Sequence, residues 1–475
     1  MTMLDALLAG PAWAIPEAIA ARRTTALAVI EAALQRLRAT EGAATIYTRV
    51  LATRACQTAR RLDAALASGH PLPPLAGVPL AVKNLFDIAG GPTLAGSRVL
   101  AGEPAAADDA VLVQRLEAAG AVLVGALTMD EFAYGFTTEN SHVGACRNPH
   151  DPARVAGGSS GGSGAALAAG LASLTLGSDT NGSIRVPSSF CGVWGLKPTF
   201  GRLPRTGTYP FVASLDHLGP MARSVHDLAL SYDAMQGPYA ADPYCAGHPV
   251  QRVTPGLGRT RPLRVARLTG YFDTYANPEA RAASVRVAAA LGADAEIELP
   301  AAALARAAAF VVTASEGGAL HRSHTLNHYD QLEPLSRDRL IAGALVPASW
   351  YLQAQRIRAW ALQQVLPVFR QFDVLVAPAT PGPAPQVGAE TLVVNGREFP
   401  MRASVGMLTQ PISSLGLPVV AAPVATDGTL PLGVQLIAAP WREDLCFAAA
   451  AQLEVAGVCR SGVAAAYQQS REVSA

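Results

Sequence analysis

Lysine is almost absent from this chain of 475 residues. Of 37 basic residues only two are lysines, Lys83 and Lys197, and the rest are arginines. Arginine supplies surface charge but does not give up its proton inside a protein. A lysine kept in such a background suggests a need for a neutral amine or a compact ammonium. Charge of either sign is also scarce, at 15% of residues, against about 25% in an average domain. The formal net charge of +1 gives no basic footprint for nucleic acid or an acidic membrane. No run approaches the roughly 18 consecutive apolar residues expected of a membrane span. The cysteines (Cys56, Cys146, Cys191, Cys245, Cys446, Cys459) are scattered. None has zinc-finger or thioredoxin spacing, so they read as reduced, mostly buried thiols of a cytoplasmic protein. The opening MTMLDALLAGPAWAIPEAIAARR has no basic leader and is interrupted by Asp5 and Pro11, which argues against a signal peptide.

What is present is a hydrophobic chain, 50% apolar, able to bury a large core and to hide surface in an oligomer. Its most informative stretch is RVAGGSSGGSGAALAAGLASLTLGSDTNGSIRVPSSFCGVWGLKPTF, residues 154–200. Two serine-bearing glycine turns, one with Ser159 and Ser160 and one with Ser183, flank a small-residue helix and a short strand. Upstream, Lys83 ends the apolar strand-like run GVPLAVK. A serine hydroxyl is a poor nucleophile until a neighbour takes its proton, and a neutral lysine does this when burial lowers its pKa. The hydroxyl of Ser159 can accept and donate at once, so it can pass a proton between Lys83 and Ser183.

Rival readings of these residues fail on specific grounds. A flexible Ser/Gly linker would not be bounded by helix- and strand-forming segments. Gly157-Gly158-Ser159-Ser160-Gly161 matches the G-x-S-x-G nucleophile elbow, but that site needs a late histidine, and none follows His328. A phosphate loop would place a lysine after its glycines, which neither lysine does. Asp179 and Arg185 read as a charge pair bracing the Ser183 turn, and Lys197 as a packing or backbone partner. Asp216 and His217 read as structural, because neighbours in sequence point in different directions. His321, His324 and His328 share one predicted helix face, but one helix rarely presents three ligands to one metal. No metal is expected.

In chain order, 15–38 and 51–68 carry the spacing of amphipathic helices, which makes 1–70 a set of N-terminal wrapping helices or a docking surface for a small partner. From 71 strands and helices alternate. The spacing predicts strands at 76–83, 121–125 and 173–178, with Asp108 and Asp109 capping the helix between the first two. A connector and β-α-β unit occupy about 236–300, a helix is predicted over 301–328, and helices over 336–370. A buried strand follows near 372–382, and a final helix is predicted at about 442–456. Residues 461–475 read as a mobile tail.

The stretch GGSSGGSGAALAAG…GSDTNGSIRVPSSFCGVWGLKPT, with Lys83 upstream, resembles the core of the amidase signature family, over roughly residues 20–460. The resemblance implies an α/β fold, a large central mixed β-sheet covered on both sides by helices, forming one catalytic domain over 71–460. It implies amide hydrolysis by a Ser–cis-Ser–Lys triad with no cofactor: Ser183 as nucleophile, Ser159 as bridging serine on a cis peptide, Lys83 as base. The backbone amides of Thr180, Asn181, Gly182 and Ser183 would form the oxyanion hole. Many family members have glycine where this chain has Asn181; asparagine tolerates positive φ, so the turn survives, and its side chain can reach a substrate. Met129, Tyr134 and Thr380 are implied to line the pocket.

Two branches of the family compete. MDEFAYGFTTENS and SLD-x-x-GP resemble the glutamine-hydrolysing component of glutamyl-tRNA(Gln) amidotransferases, but Gly406 stands at about the place of the acid that holds the glutamine α-amino group there. DTNGSIRVPSS, PFVASLDHLGP, DAMQGP and LTQPISSLGLP resemble the branch that cleaves small, acidic, urea-like amides such as 1-carboxybiuret. That branch implies a homo-oligomer, a small helical partner subunit or both, and a pocket cation, for which Arg322 and Arg339 are candidates. A general small-amide amidase is the third reading.

Overall fold

The computed structural model describes residues 2–258, 262–425 and 430–468. One sheet of 11 strands organises them. In chain order its strands are β1 (Tyr47–Val50), β2 (Pro79–Lys83), β3 (Val122–Leu127), β4 (Leu174–Asp179), β5 (Trp194–Lys197) and β6 (His217–Ala222). Then come β7 (Val265–Leu268), β8 (Ala295–Ile297), β9 (Val374–Pro378), β10 (Val419–Val424) and β11 (Leu432–Ile437). Across the sheet the order is β1-β3-β2-β4-β6-β5-β10-β11-β9-β7-β8. Strand β2 runs parallel to β3 and β4, and β7 parallel to β8 and β9. The junctions from β4 through β6, β5, β10 and β11 to β9 are antiparallel. The sheet is therefore mixed, as the family resemblance implies.

Every residue of β2, β3, β4, β6, β10 and β11 is buried. Burial on both faces of a strand means that the sheet is covered on both sides, which explains why these segments read as continuous apolar runs rather than alternating ones. The edge strands β1 and β8 are short and partly exposed, which limits edge-to-edge pairing.

Most predicted elements form near their expected positions. The β-α-β unit appears as β7, a helix over Pro278–Ala290 and β8, with β7 and β8 parallel. The N-terminal amphipathic pattern gives helices α1 (Ala26–Ala39) and α2 (Ala52–Ala67), and α1 buries Val29, Ile30, Ala33, Leu34 and Leu37 at helical spacing. Three local expectations fail. Asp109 does not cap the helix Val111–Ala118, because its carboxylate receives Arg54 and the Ala89 amide instead. The helix predicted over 301–328 breaks at His321 into Ala302–Leu320 and Arg322–Asn327, and the His321 ring turns inward to stack on Phe132 at 3.9 Å. Of the expected tail, Val463 and Ala464 are buried and 465–468 form a short helix; 469–475 lie outside the described residues.

The N-terminal segment is fastened by two buried charges. Arg223 donates to the carbonyls of Leu8 (2.7 Å), Gly10 (3.0 Å), Leu167 (3.2 Å) and Ala172 (2.7 Å). Asp227 accepts the amides of Ala12 and Trp13, both at 2.8 Å. Replacing Arg223 by methionine strands these carbonyls in the interior. The expected outcome is a loss of about 2–4 kcal/mol, read as a lower urea midpoint, with an unchanged midpoint as the contrary result.

Candidate active site

The parallel strands β2, β3 and β4 deliver their C-terminal ends to one place. Such ends are where open α/β sheets bind ligands, because the chain leaves the sheet there and the loops converge. Strand β2 ends in Lys83, β3 leads into the loop 128–138, and β4 ends in Ser178 and Asp179 before the turn that carries Ser183. Helix α3 (Gly161–Ala168) packs beside β4, and its preceding turn brings Ser159 to the same point.

Lys83 is fully buried. Its Nζ donates to Ser159 Oγ at 2.7 Å and to Ser178 Oγ at 2.8 Å. Burial pushes the amine down to about 7, against the opposing pull of Asp130, Asp179 and Asp216. The Gly158–Ser159 peptide is cis. A side chain at Gly158 would meet Asp130 Oδ2 at 2.2 Å, so backbone must pass there unadorned.

The Ser183 turn is held by Asp179. One carboxylate oxygen accepts the Gly182 amide at 2.7 Å, and the other accepts Ile184 at 3.2 Å. Arg185, on helix α4 (Arg185–Cys191), grips the same carboxylate through Nη2 at 2.9 Å and Nε at 3.0 Å, and both residues are buried. The guanidinium holds Asp179 well below the ordinary carboxylate range. Arg185 also donates to the Thr409 carbonyl at 3.0 Å and to Gln435 Oε1 at 2.7 Å, tying the turn to the other half of the sheet. The predicted bracing pair is present.

Of the four amides expected to form an oxyanion hole, that of Gly182 is engaged by Asp179, whereas those of Thr180, Asn181 and Ser183 have no acceptor among the described residues. The positive φ of the turn, +137°, falls on Gly182 and not on Asn181, so an asparagine at 181 needs no special tolerance.

Ser183 lines a narrow cavity of about 20 Å³ with Tyr134, Asn181, Thr313, Arg339 and Gln410 among its walls. The cavity shares Ala133, Thr180 and Phe211 with a chamber of about 830 Å³, which reaches Ser178. Thr313 lies on helix α5 (Ala302–Leu320) and Arg339 on α6 (Pro334–Ala344). The guanidinium of Arg339 stacks over the Tyr134 ring at 3.8 Å and donates to the Tyr134 carbonyl at 3.3 Å. Among the described residues no carboxylate lies within ion-pair distance of it.

Of the pocket candidates, Tyr134 lines this cavity. Met129 is buried against Gly96, and Thr380 bonds Ser189 Oγ at 2.8 Å, so both lie outside its wall. Arg322 is exposed and also outside it. Asp216 and His217 serve the backbone: Asp216 accepts Thr180 Oγ1 at 2.7 Å and the amides of Phe211 and Val212, and His217 Nδ1 meets the carbonyl oxygens of Leu215 and Asp179. Lys197 donates to the Pro198 carbonyl at 2.9 Å. Sequence reasoning missed Ser178, Asp130, Thr313 and Gln410. Ser178 alone had a signal, its place one residue before Asp179 at the end of the strand.

Comparison with known proteins follows the same lines. The family model described as Amidase matches residues 28–447. AtzE, one component of the 1-carboxybiuret hydrolase of Pseudomonas sp. (strain ADP), is 56% identical over 450 residues, covering 94% of this chain and 98% of the relative. The corresponding component of the glutamyl-tRNA(Gln) amidotransferase of Koribacter versatilis (strain Ellin345) is 36% identical, covering 90% and 94%. A solved structure, described as a vestigial protein complex revealing the evolutionary origins of an s-triazine catabolic enzyme, superposes with a TM-score of 0.94. It is 55% identical and covers 95% of this chain and 100% of that one.

With only two lysines, both buried, the amine titration is directly observable. Lys197 is also pushed down to about 7 by burial and by Arg185. Protein labelled with ¹³C-lysine should show two Cε resonances with midpoints at about 7, and Lys83→Met should remove one. A midpoint for Lys83 near its ordinary 10.5 would refute the neutral-amine site.

Proposed function

This chain belongs to the amidase signature family of hydrolases acting on C–N bonds, and on that footing we propose that it cleaves a small, carboxylated, urea-like amide, 1-carboxybiuret, with release of ammonia. The observation that carries the substrate class is Arg339. A partly buried guanidinium without a carboxylate partner, on the wall that holds Ser183, suits a substrate anion. The similarity to the Pseudomonas protein AtzE points the same way.

In this mechanism Ser183 attacks the terminal carbonyl while its proton passes through Ser159 to neutral Lys83. The free amides of Thr180, Asn181 and Ser183 hold the developing oxyanion. The Lys83 ammonium then returns its proton through Ser159 to the departing nitrogen, which leaves as ammonia. Water hydrolyses the acyl ester by the same relay, releasing the acyl group as a carbamate. The 2.7 Å contact between Lys83 Nζ and Ser159 Oγ supports the leg of that relay between Ser159 and Lys83.

The glutamine reading loses its anchor at Gly406. The Phe136 ring fills the space a side chain there would take, with a Cβ meeting it at 2.2 Å, so this chain holds no acid where that branch holds the α-amino group. The reading includes a cytoplasmic enzyme, in keeping with six free cysteines. It also includes a second copy of the chain or a small helical partner. Helix α7 (Ala348–Val365) and its neighbour α6 support this: Ile341, Trp350, Leu352 and Trp360 on these helices, and Leu345 between them, stand exposed. No helix among the described residues is long and apolar enough to cross a membrane.

The test is ammonia release from 1-carboxybiuret generated in situ from cyanuric acid, beside biuret, glutamine and simple amides, with Ser183→Ala as the blank. Release from carboxybiuret alone is expected; turnover of simple amides alone makes the protein a general small-amide amidase. Arg339→Met should lower kcat/KM on carboxybiuret roughly 10- to 100-fold, and lower it less on uncharged biuret. Equal losses on both would remove Arg339 as the carboxylate partner. Because the base must be neutral, activity should fall as pH drops through about 7. A rate independent of pH between 5.5 and 8.5, on the order of three units around that midpoint, would sink the lysine base.

A further inference from the structure

Asn181 has two faces, and only one of them is used within the protein. Its backbone carbonyl accepts Thr409 Oγ1 at 2.6 Å, and its Nδ2 donates to Thr313 Oγ1 at 2.8 Å. With the amide nitrogen on Thr313, the amide oxygen is the group turned away from it. The side-chain oxygen is left buried with no hydrogen-bond partner, two residues before Ser183 and on the wall of the same cavity. The whole residue is only 6% exposed.

A buried amide oxygen with no donor destabilises the protein unless something supplies one. Two polar side chains of that wall, Arg339 and Gln410, are built to donate. Arg339 has no acceptor atom at all. Gln410 accepts Arg306 Nε on its oxygen at 3.0 Å, which leaves its NH₂ as the free group. Asn181 Oδ1 therefore supplies what those two groups lack, an acceptor, and the Thr313 bond tethers the side chain beside the cavity.

Building on the function proposed above, we infer that Asn181 Oδ1 is a specificity determinant that accepts the N–H adjacent to the scissile carbonyl. Ureido and biuret groups carry that N–H; ordinary carboxamides have carbon there. The site thus reads the substrate at two points. Arg339 takes the carboxylate, and Asn181 distinguishes N–CO–NH₂ from C–CO–NH₂. A methylene opposite Asn181 would leave the oxygen unpaired in the complex, which is the situation in which protein sites discriminate most strongly. The inference also gives the Asn181 side chain a role where glycine would serve the backbone alone.

The experiment uses an isosteric pair, N-carbamoylglycine and succinamate, which differ only in NH against CH₂ beside the terminal carboxamide. Binding is measured by calorimetry to the full chain carrying Ser183→Ala, so no turnover is needed. The expected result is N-carbamoylglycine binding about tenfold tighter than succinamate. Adding Asn181→Ala, or Asn181→Gly, should bring the two within about twofold, with the thermal midpoint recorded to confirm folding. Equal responses with Asn181 in place, including no binding of either ligand, overturn the inference. So does a preference that survives removal of the side chain. If neither double variant folds, the comparison with Asn181 in place still decides. Loss of the carboxybiuret activity with the preference intact would instead overturn the substrate assignment alone.

Discussion

Burial of one amine is the constraint on which the rest of the site depends. Lys83 stays neutral near pH 7 only if desolvation outweighs three carboxylates whose charge reaches it. Each of those carboxylates is answered by partners of its own. Asp130 receives Arg402 at 2.9 Å and the Thr138 amide at 3.0 Å. Asp179 receives Arg185, and Asp216 receives Thr180 and two backbone amides. A carboxylate paired with nearer donors has less net field to offer a more distant amine. The site thus keeps its negative charge close to Lys83 without converting it to a fixed ammonium.

The fold makes this arrangement local. Lys83 and Ser178 end adjacent parallel strands, so their separation is set by sheet spacing rather than by loop conformation. The Ser183 turn is less constrained by the sheet, and there Asp179 and Arg185 take over. Arg185 reaches across to Thr409 and Gln435, residues far along the chain, so the turn is gripped from both halves of the sheet. Gly182 matters for the same reason: a Cβ there would meet Thr409 Oγ1 at 2.1 Å.

Much of this was legible from residue type and order. The scarcity of lysine singled out Lys83, the glycine turns singled out Ser159 and Ser183, and the apolar runs gave the central strands. Side-chain destinations were not legible. Asp109 looked like a helix cap because its position in the chain suited one, but Arg54, 55 residues earlier, claimed it. Met129 and Thr380 lie in the right segments yet point into packing. Arg339 and Thr313 reach the cavity from helices whose sequence carries no motif, and only the packing of α5 against α6 brings them to Ser183. Alternatives open in the sequence, such as Arg322 against Arg339, were separated by tertiary contact and by nothing shorter in range.

The two lysines have one more implication. Both are fully buried, and the chain has no others, so its folded exterior presents no lysine ammonium. Surface cations are guanidinium groups throughout. Attachments that cells make to lysine side chains, such as acetyl groups or ubiquitin-like tags, find no acceptor until the protein opens. The same holds for cyanate, which carbamoylates neutral amines: while the fold stands, lysine modification would have to begin inside the core, at Lys83 or Lys197.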